Sequence, residues 1–183
     1  IVVFNSPGAN ANAVKELVLT GMLMAARNIA PAMRFVDGLQ GDDATLSKVV
    51  EDGKKHFAGI ELPGRTLGSI GLGAIGGMVS DTALKLGMKV IGYDPEITVD
   101  AAWKLSSDVK RAHNVDDLFK HSDFITLHVP LMDATRRLVN AERIALMKHG
   151  AVLVNLAREG VIDEQAVLDG LDSKKLRAYI CDF

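Results

Sequence analysis

Residues 65–95 read RTLGSIGLGAIGGMVSDTALKLGMKVIGYDP, and the fold is decided in that stretch. Leu67 to Ile70 is a short apolar run of the kind buried on both faces of a parallel sheet. Gly71-Leu72-Gly73-Ala74-Ile75-Gly76 follows, and Ile75, Met78, Val79, Ala83 and Leu86 then recur at helical spacing. Gly87 stands where a helix closes on a left-handed residue. A second apolar strand, Lys89 to Tyr93, ends in Asp94. The unit is therefore strand, glycine turn, helix, strand. Gly71 permits the tight turn, Gly73 leaves the backbone open to a pyrophosphate, and Gly76 lets helix approach strand. The start of the helix adds free N–H groups and a positive dipole end, which suit an anion.

Helix-packing glycines produce such a pattern by chance, but the strands required on both sides are present here, so the expected ligand is a dinucleotide. Asp94 lies eighteen residues after Gly76, at the end of the second strand. A carboxylate there accepts hydrogen bonds from both ribose hydroxyls and repels a 2′-phosphate, which favours NAD over NADP. The plainer reading of Asp94 is a turn residue before Pro95. S-adenosylmethionine, bound by a similar glycine turn and acidic residue, is the alternative ligand.

The chain has 183 residues and a net charge of −2. That length carries one domain with a substantial core, and that charge gives no support for nucleic-acid or membrane-surface binding. A single cysteine, Cys181, rules out an internal disulfide and fits a reducing compartment such as the cytoplasm. No apolar run reaches bilayer-spanning length, and no metal site is expected. The chain opens on Ile1-Val2-Val3-Phe4 and closes on an apolar strand, Tyr179 to Phe183, so a piece of a longer protein is expected.

Ile1 to Phe4 reads as a buried strand and Asn5-Ser6-Pro7-Gly8 as a turn. A helix is expected from about Ala11 to Ile29, capped by Asn10 or Asn12 and ended by Pro31. Its apolar residues, Val14, Leu17, Val18, Leu19, Met22, Leu23 and Met24, cover much of its circumference, so the core or a second subunit must take the further face. Pro31 to Pro63 reads as a mostly irregular stretch with one short amphipathic piece, Ala44 to Val50, and Lys54-Lys55-His56 as a solvated basic knot. Residues 1–63 are thus expected to supply the long helix and a dimerisation loop, and 64–183 the dinucleotide-binding core. Trp103 is expected to be packed. Further strands are expected at Arg111–His113, Asp123–Val129, Ala151–Asn155 and Leu176–Cys181. Helices capped by Asn114, spanning Ala141–His149 and spanning Asp163–Leu171 alternate with them. The alternation predicts an α/β fold, a single doubly wound parallel sheet of Rossmann type, with ligands beyond the carboxyl ends of the strands. Gly71–Gly76, Asp94, His128–Pro130, Ala157–Arg158 and Asp182 all fall there.

With Asn155-Leu156-Ala157-Arg158-Glu159-Gly160-Val161-Ile162-Asp163-Glu164 added to Asn5–Asn10, the glycine turn, His128-Val129-Pro130-Leu131 and Thr135-Arg136, the chain resembles the D-isomer-specific 2-hydroxyacid dehydrogenases over essentially its whole length. The resemblance implies NAD as cofactor and a small 2-hydroxy acid as substrate. Gly53–Phe57 and Ala102–Ser106 point within the family to the members oxidising 3-phosphoglycerate. Members acting on glyoxylate, hydroxypyruvate or D-lactate, and non-enzymatic NAD-sensing dimeric corepressors, are the alternatives. By the same resemblance, Ala74 and Ile75 meet the pyrophosphate and Asp94 the adenosine ribose. His128, Val129 and Pro130 line the adenine side, Ala157 and Arg158 lie beside the nicotinamide, and Asp182 binds its carboxamide. Arg158 becomes the catalytic arginine: its guanidinium fork matches a 2-oxo-carboxylate and stabilises charge developing on oxygen. The plainer reading of Arg158 is an exposed arginine leading into a helix. The family's acid–base histidine, its partner glutamate and the substrate domain are expected outside these residues, and the apolar helix from Ala11 to Ile29 with the loop after it is expected to build a homodimer.

Overall fold

The computed structural model describes residues 8–183; the strand and turn expected at Ile1–Pro7 lie outside them. Six strands form one sheet: β1 (Thr66–Ile70), β2 (Lys89–Tyr93), β3 (Val109–Arg111), β4 (Phe124–Leu127), β5 (Ala151–Asn155) and β6 (Leu176–Cys181). Their spatial order is β3-β2-β1-β4-β5-β6, and each neighbouring pair is parallel. The order reverses between β1 and β4, which leaves a crevice at their carboxyl ends.

Every residue of β4 and β5 is buried. Such strands need cover on both faces, and the period of two shows which side chain goes where. Phe124, Val152 and Val154 face a core built on α1 (Ala11–Ala26) and α4 (Ala74–Lys85), with Val18, Met22, Val79 and Ala83. Ile125, Leu127 and Leu153 face a second core under α6 (Val115–His121), α7 (Ala141–Leu146) and α8 (Glu164–Asp172). Burying a side chain the size of Met22 or Phe124 contributes roughly 1.5–3 kcal/mol, so these two cores dominate the stabilisation. Gly87 closes the turn after α4 at φ 78, and Asn114 caps α6 by accepting from Asp117 N at 2.8 Å, both as the sequence indicates.

The N-terminal third departs from expectation. The first helix stops at Ala26, where Asn28 turns left-handed (φ 53), and Pro31 opens the next helix, α2 (Ile29–Asp37). Proline is tolerated in a first turn because no intrahelical partner exists there for its missing N–H. Asn10 precedes α1 without a side-chain cap, and Asn12 instead donates to Glu16 Oε1. The stretch expected to be irregular holds α3 (Asp43–Gly53), capped by Asp42, and a 3-10 turn at Lys54–Phe57. Backbone contacts to Thr45 lower the Asp42 pKa, as a cap should. The third strand ends at Arg111, before Ala112 and His113, and α7 ends before Lys148 and His149. A short helix, α5 (Val99–Lys104), precedes that strand. Its Trp103 is 83% exposed and not packed, because α5 bears on α4 only lightly and turns its other face outward. No helix of the described residues is long and apolar enough to cross a membrane.

Candidate active site

The glycine turn is clamped from both sides. Gly71 N donates to Tyr93 O at 2.9 Å, and His128 N donates to Ile70 O at 2.7 Å, so the turn lies between the ends of β2 and β4. Gly71 adopts φ 87, and a Cβ on it would meet the His128 carbonyl. A Cβ on Gly76 would run into the Gly71 carbonyl. These two glycines are required by the protein itself. Gly73 is not: a Cβ there would meet nothing within 4 Å. The space above it is free for a ligand.

Helices α3, α5, α6, α7 and α8 each start under a capping side chain, from Asp42, Thr98, Asn114, Asn140 and Asp163. Helix α4 starts at Gly73 with none. Its first amides are therefore left for an outside acceptor, and the helix dipole favours an anion there. Ile75 packs its side chain against the α1–α4 core, so what it offers the crevice is its amide. Ala74 is exposed beside it.

Asp94 reaches back to the turn. Its Oδ2 accepts from Leu72 N at 2.8 Å and its Oδ1 from Glu96 N at 3.0 Å. The carboxylate is thereby fixed at the rim of a cleft of ≈ 440 Å³. Apolar walls from Leu72, Pro95, Ile97 and Leu105, with Ala112 and His113 at the far side, complete it. A cleft with apolar walls and one fixed carboxylate suits a nucleoside, and Ile97, Ala112 and His113 were not legible as its walls in the sequence.

His128 is placed differently from the adenine-lining role that the resemblance implies for its side chain. The imidazole turns under the glycine turn, with Nε2 2.9 Å from Thr126 Oγ1 and Cδ2 against the Gly76 position. Burial lowers its pKa to about 4, so it is neutral at physiological pH. Val129 packs partly into the core beside Gly71, and the exposed Pro130 accepts from Thr135 Oγ1 at 2.6 Å.

At the end of β5, the buried Asn155 shapes the loop that carries Ala157 and Arg158. Its Nδ2 donates to Arg158 O at 2.9 Å and its Oδ1 accepts from Ala157 N at 3.1 Å. The sequence marks Asn155 as a strand end only, since the loop's closure on it is a tertiary feature. Arg158 is exposed, with Nη1 donating to Ala157 O at 2.6 Å. Glu159 raises the pKa of neighbouring Glu164 through a hydrogen bond and charge. Asp182 is exposed just past β6. Glycine turn, Asp94, Arg158 and Asp182 thus occupy one edge of the sheet.

The sequence profile of the D-isomer specific 2-hydroxyacid dehydrogenase NAD binding domain matches residues 19–183. The chain belongs to the D-isomer-specific 2-hydroxyacid dehydrogenase family. Within that family, the D-3-phosphoglycerate dehydrogenase of Methanocaldococcus jannaschii is 44% identical over 182 residues, covering all of this chain and 32% of that protein. The hydroxypyruvate reductase of Thermotoga maritima is also 44% identical, covering 97% of this chain and 53% of that protein. The D-lactate dehydrogenase of Aquifex aeolicus, solved with NAD and lactic acid, superposes with a TM-score of 0.78 at 30% identity, over all of this chain and 50% of that one. The chain therefore spans between about a third and half of these relatives. It is a Rossmann-type NAD-binding domain of the 2-hydroxyacid dehydrogenases, and the open helix start, the free space over Gly73 and the fixed Asp94 fit that cofactor.

Proposed function

We propose that this chain is the cofactor half of an NAD-dependent dehydrogenase that oxidises 3-phosphoglycerate to 3-phosphooxypyruvate, a step toward serine. The observation that carries the reading is the convergence of the glycine turn, Asp94, Arg158 and Asp182 on one sheet edge. NAD supplies hydride acceptance. The amides of Ala74 and Ile75 hold pyrophosphate, Asp94 orients ribose, and Asp182 receives the carboxamide. Val129 and Pro130 border the adenosine half from the β4 end. His128 supports that end through its backbone while its ring faces the core. Arg158, beside Ala157, grips the substrate carboxylate and C2 oxygen with a bidentate fork.

Cofactor choice tests the site. Titration with NADH and NADPH should show NADH bound at least about tenfold more tightly, because Asp94 repels a 2′-phosphate. Equal affinities would remove Asp94 from the ribose. The equal identity to a hydroxypyruvate reductase supports a second substrate reading. Comparing kcat/KM for 3-phosphoglycerate with that for glycerate in the longer protein separates the two. The preferred compartment is the cytoplasm, and the preferred assembly is a homodimer.

A further inference from the structure

The sheet has a second cleft at its opposite edge, where the strands begin. It measures ≈ 520 Å³ and lies among Arg65, Asp123, Lys148, His149, Lys174 and Arg177. Strands of four to six residues separate it from the glycine turn, a span of roughly 13–20 Å.

Some positive charge is expected at this edge. Helices α6, α7 and α8 end here, and each C-terminus carries about half a negative charge. The cations exceed that need. Four full positive charges, on Arg65, Lys148, Lys174 and Arg177, face one carboxylate and three helix ends, which leaves roughly one and a half charges uncompensated. The carboxylate is already shared: Asp123 accepts from Thr66 N at 2.8 Å and from Lys148 Nζ at 3.1 Å, and lies 3.8 Å from Arg65 Nη1. Lys174 joins no ion pair among the described residues.

One of these cations, Arg177, is held by its side chain, and another, Lys174, is set only by its backbone. Lys174 follows α8 at φ 59, a left-handed position that glycine adopts with less strain. Arg177 donates from Nη2 to Asn28 Oδ1 at 3.0 Å, and Asn28 is itself left-handed and bonded to Ala58 O. A guanidinium steadied on one side keeps its remaining N–H groups for a ligand. Guanidinium forks match phosphate oxygens bidentately, and ammonium groups add point charges around them.

We propose that this cleft binds a small molecule carrying two or more phosphate groups, at a site separate from the dinucleotide crevice. Calorimetric titration of tripolyphosphate into the chain carrying one equivalent of NADH tests it. One site per chain is expected, with a dissociation constant below about 1 mM and at least about tenfold tighter than inorganic phosphate. Lys174→Gly removes a charge at a position whose backbone suits glycine, so the fold is retained while binding falls at least about fivefold. Lys55→Ala, outside the cleft, leaves binding unchanged. No binding, equal loss in Lys55→Ala and Lys174→Gly, or release of NADH by tripolyphosphate would overturn the assignment.

Discussion

Gly73 and Gly76 sit three residues apart and serve different masters. Gly73 faces open space, whereas Gly76 is pressed against the Gly71 carbonyl. Gly73→Ala should therefore leave the melting temperature nearly unchanged yet weaken NADH binding, since the added methyl occupies ligand space. Gly76→Ala should lower stability by about 1–3 kcal/mol and weaken binding as well, because backbone must shift. Thermal melts beside NADH titrations read both, and a stable Gly76→Ala would refute the contact. His128 makes a further prediction. Its native pKa of about 4 lies below the unfolded value of 6.5, so the unfolded chain binds more protons between those values. Stability should fall as pH drops from about 6.5 to about 4, by on the order of 2–3 kcal/mol. His128→Gln, which keeps a partner for Thr126, should flatten that part of the profile in denaturant titrations. An unchanged slope would mean that the imidazole is not buried neutral.

At the level of elements, α1 and α2 raise the question of assembly. One face of α1 is buried through Val18, Met22 and Ala26, while Leu17, Leu23 and Met24 stay exposed. Helix α2 adds Ile29, Met33 at 58% exposure and Val36 at 53%, with no residue buried. Exposed apolar residues gathered on two successive helices mark an interaction surface. The expected occupant is a second copy, in keeping with the homodimer proposed above. Sedimentation velocity should give a dimer at micromolar concentration, and Met33→Asp with Val36→Asp should give a folded monomer. A monomeric parent chain would count against it.

For the whole molecule, the charge layout and the histidines bear on activity. Arg158 orients a carboxylate and stabilises an oxyanion, but a guanidinium does not give up its proton in a protein, so it cannot carry the alcohol proton. His128 is neutral and turned toward Thr126, and His113 lines the cleft beside Asp94 at the opposite end of the crevice from Arg158. His149 lies at the far edge of the sheet. His56 follows α3 in the 3-10 turn, and His121 ends α6 with Nδ1 on Asp117 O. The 183-residue chain is expected to bind NADH without measurable oxidation of 3-phosphoglycerate, because a general base tuned near working pH is needed. The longer protein should turn over, and Arg158→Ala in it should lose most of kcat/KM. Robust turnover by this chain alone would mean that its acid–base group has been misassigned.

The strand–turn–helix unit of residues 65–95, the doubly wound sheet and the strand-end residues followed from sequence, because glycine spacing and period-two or period-three-and-a-half apolarity are local properties. The break at Asn28, the helices flanking Gly38 and the exposure of Trp103 did not. Pro31 reads equally well as the end of one helix or the first turn of the next, and an apolar side chain carries no mark of whether a neighbour covers it. The inward turn of His128, the grip of Asp94 on Leu72 and the closure of the Arg158 loop on Asn155 also needed the tertiary structure. Each depends on which strand ends meet at the crevice. The basic cleft is the plainest case: Arg65, Lys148, Lys174 and Arg177 are scattered along the sequence, and the parallel sheet brings them together because every crossover returns the chain to the same edge.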